Sequence, residues 1–205
     1  GVHRCCTVDL FGLAAMPANA QTVDPKTIGA IKAAQSDWDV AYEIAEDADP
    51  LTTDVLTWLR LAEGTGTFAE FQSFFETHSD WPGLRRLRAQ AERAVAETDS
   101  SAAIVAWFAD APPRTGRGAV HLARAHFALG QAEEARAVLR DAWIGQRLSD
   151  EGQKAMYDAF AEELRPYHAA RTDALLWRSR AEDAARMVPH LEPDQAALAE
   201  ARISS

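Results

Sequence analysis

The chain has 205 residues and a formal net charge of −10, and hydrophobic and charged residues make up 47% and 25% of it. These are the proportions of a globular protein, and they exclude a disordered tail, a collagen-like fibre and a small disulfide-stapled scaffold. The acidic balance argues against a nucleic-acid partner, because neutralising phosphates requires clustered Lys and Arg. Alanine, at roughly a fifth of the residues, has the highest helix propensity and predicts a nearly all-helical chain.

Residues 1–20 resemble the end of a secretory signal peptide, in which an apolar stretch precedes small residues at the cleavage site. Ala18-Asn19-Ala20 supplies the small residues, and cleavage would fall before Gln21. We therefore expect export to the periplasm, with a disordered leader as the alternative. Cys5 and Cys6 precede this site, so the mature chain would hold no cysteine for a disulfide, a thiol nucleophile or a metal. No apolar run reaches about 18 residues, and no membrane span is predicted.

The helices of the first half are predicted from their starting residues and their apolar spacing. Asp24-Pro25 and Asp49-Pro50 each place a capping residue before a proline at the first helical position. Thr67 and Glu70 have the spacing of a capping box, and residues 80–83 form a turn. The apolar residues that recur at helical spacing are Ile28, Ile31, Trp38, Ala41, Tyr42, Ala45, Leu51, Val55, Trp58, Leu59, Phe68, Phe71, Phe74, Phe75, Leu84, Leu87, Ala91 and Val95.

The second half repeats this scheme. Pro112-Pro113 stops a helix that starts near Ser100, and Thr115-Gly116-Arg117-Gly118 is predicted to be a loop. Gly130 separates two helices, and Ser149 caps another that ends at Pro166. Further helices are predicted over residues 170–177, over 181–188 and from 193 onward. The inward-facing residues include Ile104, Trp107, Phe108, Leu122, Ala123, Phe127, Ala135, Leu139, Ala142, Trp143, Met156, Phe160 and Leu164.

The predicted helices are short, about 10 to 14 residues, and a few residues join each to the next. Residues 119–143 have the spacing of a tetratricopeptide-like hairpin. We therefore predict an all-α fold over residues 21–205, an irregular α-α superhelix in which short helical hairpins stack as a solenoid. A closed helical bundle is the alternative.

Motifs for catalysis or metal binding are sparse. His121 and His126 would lie about 140° apart on a helix and could not share a metal. The adjacent pairs Glu133-Glu134 and Glu162-Glu163 would diverge by about 100°, which suits a solvated face better than an acid/base pair. No catalytic residue, cofactor site or metal site is therefore predicted.

A weak candidate site consists of Trp81 and the basic cluster Arg85, Arg86 and Arg88. Trp81 lies in a turn, where its flat apolar face could stack on a sugar ring, and the arginines could form an anion-binding patch. A solvated helix face is the alternative for the arginines. The remaining tryptophans are expected to pack between helices; they are Trp38, Trp58, Trp107, Trp143 and Trp177.

An ordered series of short motifs resembles the N-terminal superhelical region of soluble lytic murein transglycosylases. The series spans about Ile31 to Arg202. Its members are Trp38-Asp39, Ala41, Ala45, Asp49-Pro50-Leu51-Thr52, Trp58-Leu59-Arg60-Leu61, Gly66-Thr67-Phe68, Phe71, Phe74-Phe75, His78, Asp80-Trp81-Pro82, Leu87-Arg88, Ala91-Glu92, Trp107-Phe108, Pro113, Thr115-Gly116, Leu122-Ala123, Ala125, Gly130, Glu134-Ala135, Leu139-Arg140, Ala142-Trp143, Ala170-Arg171, Asp173, Leu175-Leu176-Trp177, Leu198-Ala199 and Ala201-Arg202.

The resemblance implies a periplasmic enzyme that cleaves the β-1,4 bond between N-acetylmuramic acid and N-acetylglucosamine in peptidoglycan and forms a 1,6-anhydro product. In this family one glutamate of a C-terminal lysozyme-like domain performs the chemistry, and the superhelical region embraces the glycan strand. No glutamate here has the lysozyme-like Glu-Ser context, so no catalytic residue is assigned. We expect a chain that lacks the catalytic domain and contacts the glycan strand as part of the full-length enzyme.

A stand-alone helical-repeat adaptor that binds a protein partner in a concave groove is the alternative function. The two hypotheses differ in the expected C-terminal surface. Leu191, Ala196, Leu198, Ala199 and Ile203 form an apolar stripe with no helix after it. We therefore predict that the isolated chain exposes this stripe and self-associates through it.

Overall fold

The computed structural model describes residues 23–204, and all regular secondary structure in that range is helical. The predicted signal segment and both cysteines lie outside the described residues. The α-helices are α1 Pro25–Ala33, α2 Trp38–Glu46, α3 Leu51–Ala62, α4 Phe68–Thr77, α5 Leu84–Ala94, α6 Ser101–Phe108, α7 Gly116–Ala128, α8 Ala132–Gly145, α9 Asp150–Leu164, α10 His168–Trp177, α11 Ala181–Ala185 and α12 Pro193–Ile203. The predicted all-α fold class is confirmed for this part of the chain.

Local capping chemistry starts several helices where the sequence predicts. The Asp24 carboxylate accepts a hydrogen bond from the Lys26 amide at 3.0 Å, just before α1. Thr67 and Glu70 form both bonds of the capping box at the start of α4. Ser149 accepts from the Gly152 amide at 3.1 Å and caps α9. Each cap satisfies amides that have no partner within the helix.

The described residues form two compact units, and the first ends at Leu56. In this unit α1 packs on α2, and a core of small side chains allows the two helices to approach closely. The core consists of Ala30, Ala34, Ala41, Ala45 and Leu56. The hydroxyls of Thr27 and Thr52 lie 2.7 Å apart and connect α1 to the start of α3.

The second unit begins at Thr57. Within it α4 packs on α5, α6 on α7, α7 on α8, and α8 on α9, while α10, α11 and α12 pack together. Pairing of consecutive helices is the local arrangement that a helical hairpin requires. The regular stacking of these hairpins into a superhelix remains a prediction. The largest core includes Leu139, Trp143, Met156, Leu164, Leu175 and Met187.

The predicted loop at residues 115–118 is instead the start of α7. Thr115 is the capping residue, and its hydroxyl accepts a bond from the Gly118 amide at 2.9 Å. The glycines are needed for close packing. A Cβ on Gly116 would collide with the Gly152 backbone, and a Cβ on Gly118 would collide with the Glu92 side chain. Glycines at these two positions therefore allow α7 to approach α9 and α5 closely, and the prediction of a loop is wrong.

The tryptophans differ in burial, and Trp38, Trp58, Trp81 and Trp107 are half-buried. Trp143 is buried as predicted, with 1% of its surface exposed. The expectation that Trp177 packs between helices is wrong, because 84% of its surface is exposed. It is the last residue of α10, and the chain turns away two residues later at Ser179, which has a positive φ of 55°.

The C-terminal helix is packed more completely than its sequence suggests. Ala199 is buried, and Ile203 packs against the large core. An ion pair of 2.5 Å between Arg202 and Asp173 joins α12 to α10. Leu198 is the large apolar side chain of the stripe that remains exposed, at 61%. The prediction that the whole stripe is exposed is therefore wrong, because its other members are buried or half-buried. Self-association itself stays a prediction. Within residues 23–204, no helix is long and apolar enough to cross a membrane.

Candidate functional site

Trp81, the predicted sugar-stacking residue, is only partly accessible. Its ring makes edge contacts with Phe74 and His78, at centroid distances of 5.5 and 4.9 Å. The turn that carries it is fixed by a 3.0 Å bond from the Trp58 indole to the Pro82 carbonyl. Trp81 therefore belongs partly to the core around Leu87, and only part of its surface is open to a ligand.

The three clustered arginines do not share one surface. Arg85 and Arg86 are exposed. The Arg88 guanidinium donates to the Trp107 carbonyl at 2.8 Å and lies 4.7 Å from the centre of the Trp107 ring. Burial lowers the pKa of Arg88 from its ordinary value. Arg88 thus holds α5 against α6, and any glycan contact by this cluster would depend on Arg85 and Arg86.

The pairs Glu133-Glu134 and Glu162-Glu163 are exposed, as the sequence predicts. No group of three or more His, Cys, Asp or Glu side chains in residues 23–204 could hold a metal ion.

A buried carboxylate, Glu92, is a feature that the sequence reasoning missed. Its side chain is completely buried in α5 and accepts bonds from the Arg114 amide at 2.8 Å, the Thr115 amide at 2.8 Å and the Thr115 hydroxyl at 2.6 Å. Burial raises the pKa of Glu92, and the Thr115 and Arg114 bonds oppose that change. Glu92 therefore fixes the segment that leads into α7.

The Glu92 contacts also position arginines around a cavity of about 160 Å³. Arg93 follows Glu92 in α5, and Arg114 lies in the segment that Glu92 holds. Arg117 in the first turn of α7 and Arg147 after α8 complete the set. We call this space, lined by these four residues and the first turns of α7 and α9, the arginine cavity.

Charge in the arginine cavity is only partly neutralised. Arg117 pairs with Glu151, the one carboxylate that lines the cavity, at 2.7 Å. Arg93 donates to the neutral Gln90 side chain at 3.1 Å and forms no ion pair with a described residue. Arg114 and Arg147 are exposed, and neither forms an ion pair in the part of the chain that the structure describes. On a chain with a net charge of −10, this is a local concentration of positive charge.

A second, more open cavity of about 560 Å³ shares Arg147 and is also lined by Arg178 and Arg180. Its other two arginines have partners within the protein. Arg178 donates to the Ile144 carbonyl at 3.1 Å, and Arg180 pairs with Asp183. Because the Glu182 and Asp183 carboxylates also line the second cavity, it has less free positive charge than the arginine cavity.

The arginine cavity could not be found from sequence motifs. Its four arginines are spread over 55 positions, from 93 to 147, and only the packing of α5, α7, α8 and α9 brings them together.

Comparison of the chain with protein-family models, with curated proteins and with solved structures finds no match.

Proposed function

We propose that this chain is the superhelical scaffold region of a periplasmic lytic transglycosylase, the class of enzyme that cleaves the N-acetylmuramic acid–N-acetylglucosamine bond of peptidoglycan with formation of 1,6-anhydro products. In this proposal the chain contacts the glycan strand and carries no catalytic residue. The chemistry belongs to a separate lysozyme-like domain.

One observation carries the proposal: the residues of the family resemblance include the chain's unusual buried charged groups. Apolar core positions recur by chance in many helical proteins, whereas a buried charge is costly and needs specific partners. Glu92 and Arg171 are both members of the series, and their exposures are 0% and 2%. Thr115, the main partner of Glu92, is a member as well.

The contacts of Arg171 illustrate this specificity. Its guanidinium donates to the Trp143 carbonyl and to the Gln153 side chain, the latter at 2.9 Å. It also lies 4.5 Å from the centre of the Trp143 ring, and burial lowers the pKa of Arg171 to about 10. This side chain joins α8, α9 and α10. A series that includes apolar core residues together with Glu92 and Arg171 supports a shared scaffold more strongly than helical periodicity alone.

Incubation with purified peptidoglycan sacculi tests the proposal. We expect the chain to sediment with the sacculi and to release no 1,6-anhydro muropeptides. The variant Arg85→Gln/Arg86→Gln tests the remaining candidate glycan contacts, and Arg124→Gln/Arg165→Gln is its charge-matched control on other exposed helix positions. A chain that stays in the supernatant would refute the glycan-binding scaffold, and clear anhydro product would refute the assignment of catalysis to another domain.

The alternative function, a stand-alone helical adaptor for a protein partner, is favoured by Trp177. An aromatic side chain of this size with 84% exposure is typical of the residues that dominate protein interfaces. Failure to bind sacculi, together with a clean monomer in light scattering over a wide concentration range, would favour the adaptor over the scaffold.

A further inference from the structure

The arginine cavity has the properties of a binding site that the proposed function leaves unassigned. We propose that it binds a carboxylate group of the peptide portion of peptidoglycan, with Arg114 and Arg147 as the principal contacts. The presence of an anion site follows from the cavity itself, whereas the choice of a peptidoglycan peptide rests on the proposed function.

The first argument is charge. Four arginines, all of them exposed, line the arginine cavity, and Glu151, which pairs with Arg117, is the one carboxylate residue of its lining. Glu92 does not line the cavity, and its oxygens accept bonds from the Arg114 amide and from the amide and hydroxyl of Thr115. The first turns of α7 and α9 also line the cavity, and the positive ends of both helices add to the arginine charge. A ligand that neutralises Arg114 and Arg147 would therefore be attracted.

The second argument is size. A volume of about 160 Å³ equals that of about five water molecules in the liquid. Such a space accepts a carboxylate and the few atoms next to it, whereas ligands of drug size occupy pockets of about 300 Å³ or more. The cavity is thus suited to the end of a peptide side chain or a peptide C-terminus, and the sugar rings of the same polymer would lie outside it.

The third argument is rigidity. Glu92 holds the backbone at Arg114 through an amide bond of 2.8 Å, and the backbones of Gly116 and Gly152 are in direct contact. The Gln146 side chain donates to the Pro113 carbonyl at 2.5 Å, which connects the neighbours of Arg147 and Arg114. The backbones that carry both arginines are therefore fixed before a ligand arrives, which lowers the entropic cost of binding.

Guanidinium groups match oxyanions in geometry, because two parallel N–H groups can bind two oxygens. Carboxylates and phosphates share this chemistry, so the experiment must distinguish them. Isothermal titration of the full chain would use three probes: a soluble peptide-bearing muropeptide, the same muropeptide with its carboxylates converted to amides, and inorganic phosphate.

We expect the muropeptide to bind, its amidated form to bind at least tenfold more weakly, and phosphate not to compete at equal concentration. The variant Arg114→Gln/Arg147→Gln is expected to reduce muropeptide affinity about tenfold, whereas the control Arg124→Gln/Arg165→Gln leaves it unchanged. Raising the salt concentration should weaken binding to the unmodified chain. Circular dichroism of each variant verifies that its helices are intact.

Equal affinity of the two double variants would overturn the proposed site, and so would equal affinity for the amidated muropeptide. If phosphate binds and the muropeptide does not, a peptide carboxylate is not the ligand of the arginine cavity. A chain that sediments with sacculi but does not bind the muropeptide would refute this inference and leave the proposed function intact. A chain that binds neither would refute both.

Discussion

Replacement of Glu92 by alanine tests whether the buried carboxylate holds α5 to the segment before α7. The substitution removes the acceptor of two backbone amides and of the Thr115 hydroxyl. A buried amide left without a partner costs about 1–3 kcal/mol. The substitution also removes a buried carboxylate, whose burial raises the pKa of Glu92 and costs free energy, and this offsets part of the loss. We expect a net loss of about 2–4 kcal/mol in the free energy of unfolding.

Urea denaturation followed by far-ultraviolet circular dichroism measures this loss. For a domain of about 150–250 residues, each kcal/mol corresponds to about 2–4 °C, so the thermal midpoint should fall by about 4–16 °C. Glu92→Gln keeps one acceptor oxygen and should lie between the parent and Glu92→Ala. The exposed carboxylate of Glu163 provides the control, and Glu163→Ala should change stability by less than about 0.5 kcal/mol.

A double-mutant cycle with Thr115→Val then isolates the contact. We expect a coupling energy of about 0.5–3 kcal/mol between the two positions, because they share hydrogen bonds. If Glu92→Ala is as stable as Glu163→Ala, the carboxylate does not hold this segment, and the account of the arginine cavity's rigidity fails with it. Strict additivity of the two substitutions would refute only the contribution of the Thr115 hydroxyl, because valine keeps the backbone amide that donates to Glu92.

Three further predictions concern separate features. Gly116→Ala places a Cβ against the Gly152 backbone and should lower the thermal midpoint sharply. In the control Gly145→Ala the new Cβ meets no atom within 4 Å, and the midpoint should stay the same or rise slightly. Equal midpoints for the two variants would refute the close contact. Burial lowers the pKa of His168 from 6.5, so the unfolded chain binds the proton more readily and stability should fall as the pH drops below about 6.5. Urea midpoints at pH 7.5 and 5.5 measure this pH dependence of stability, and His168→Phe should reduce it. An unchanged pH dependence in His168→Phe would count against a buried neutral imidazole. Addition of short glycan strands should change the tryptophan fluorescence of the parent but not of Trp81→Phe, and an identical response from both would remove Trp81 as a glycan contact.

Helix starts could be predicted from sequence because the determining groups are neighbours in the chain. The Asp24 cap and the Thr67–Glu70 capping box each act within three residues. The apolar faces were equally local, since a 3.6-residue period specifies them. Trp177 shows the limit of that rule, because it continues an apolar stripe but lies where α10 ends and no neighbouring helix covers it.

The candidate site could not be predicted because its determinants are distant in sequence. Glu92 and Thr115 are 23 residues apart, and nothing in the local pattern around Glu92 distinguishes it from an exposed helical glutamate. Arg88 was expected in a basic patch but lies over the Trp107 ring. Which arginines remain free for a ligand therefore depends on tertiary contacts, and these become visible only when the helices are placed.

The attachment of Arg114 and Thr115 to Glu92 has a consequence for local opening of the chain. Connecting segments between helices usually exchange their amide hydrogens with solvent rapidly and are the sites at which proteases cut. Here two amides of such a segment donate to an enclosed acceptor on a helix more than twenty positions earlier. The deuterium uptake of these two amides should therefore follow the separation of α5 from α7 and not local unfolding of the connecting segment. Their exchange rate would measure the opening of this helix pair.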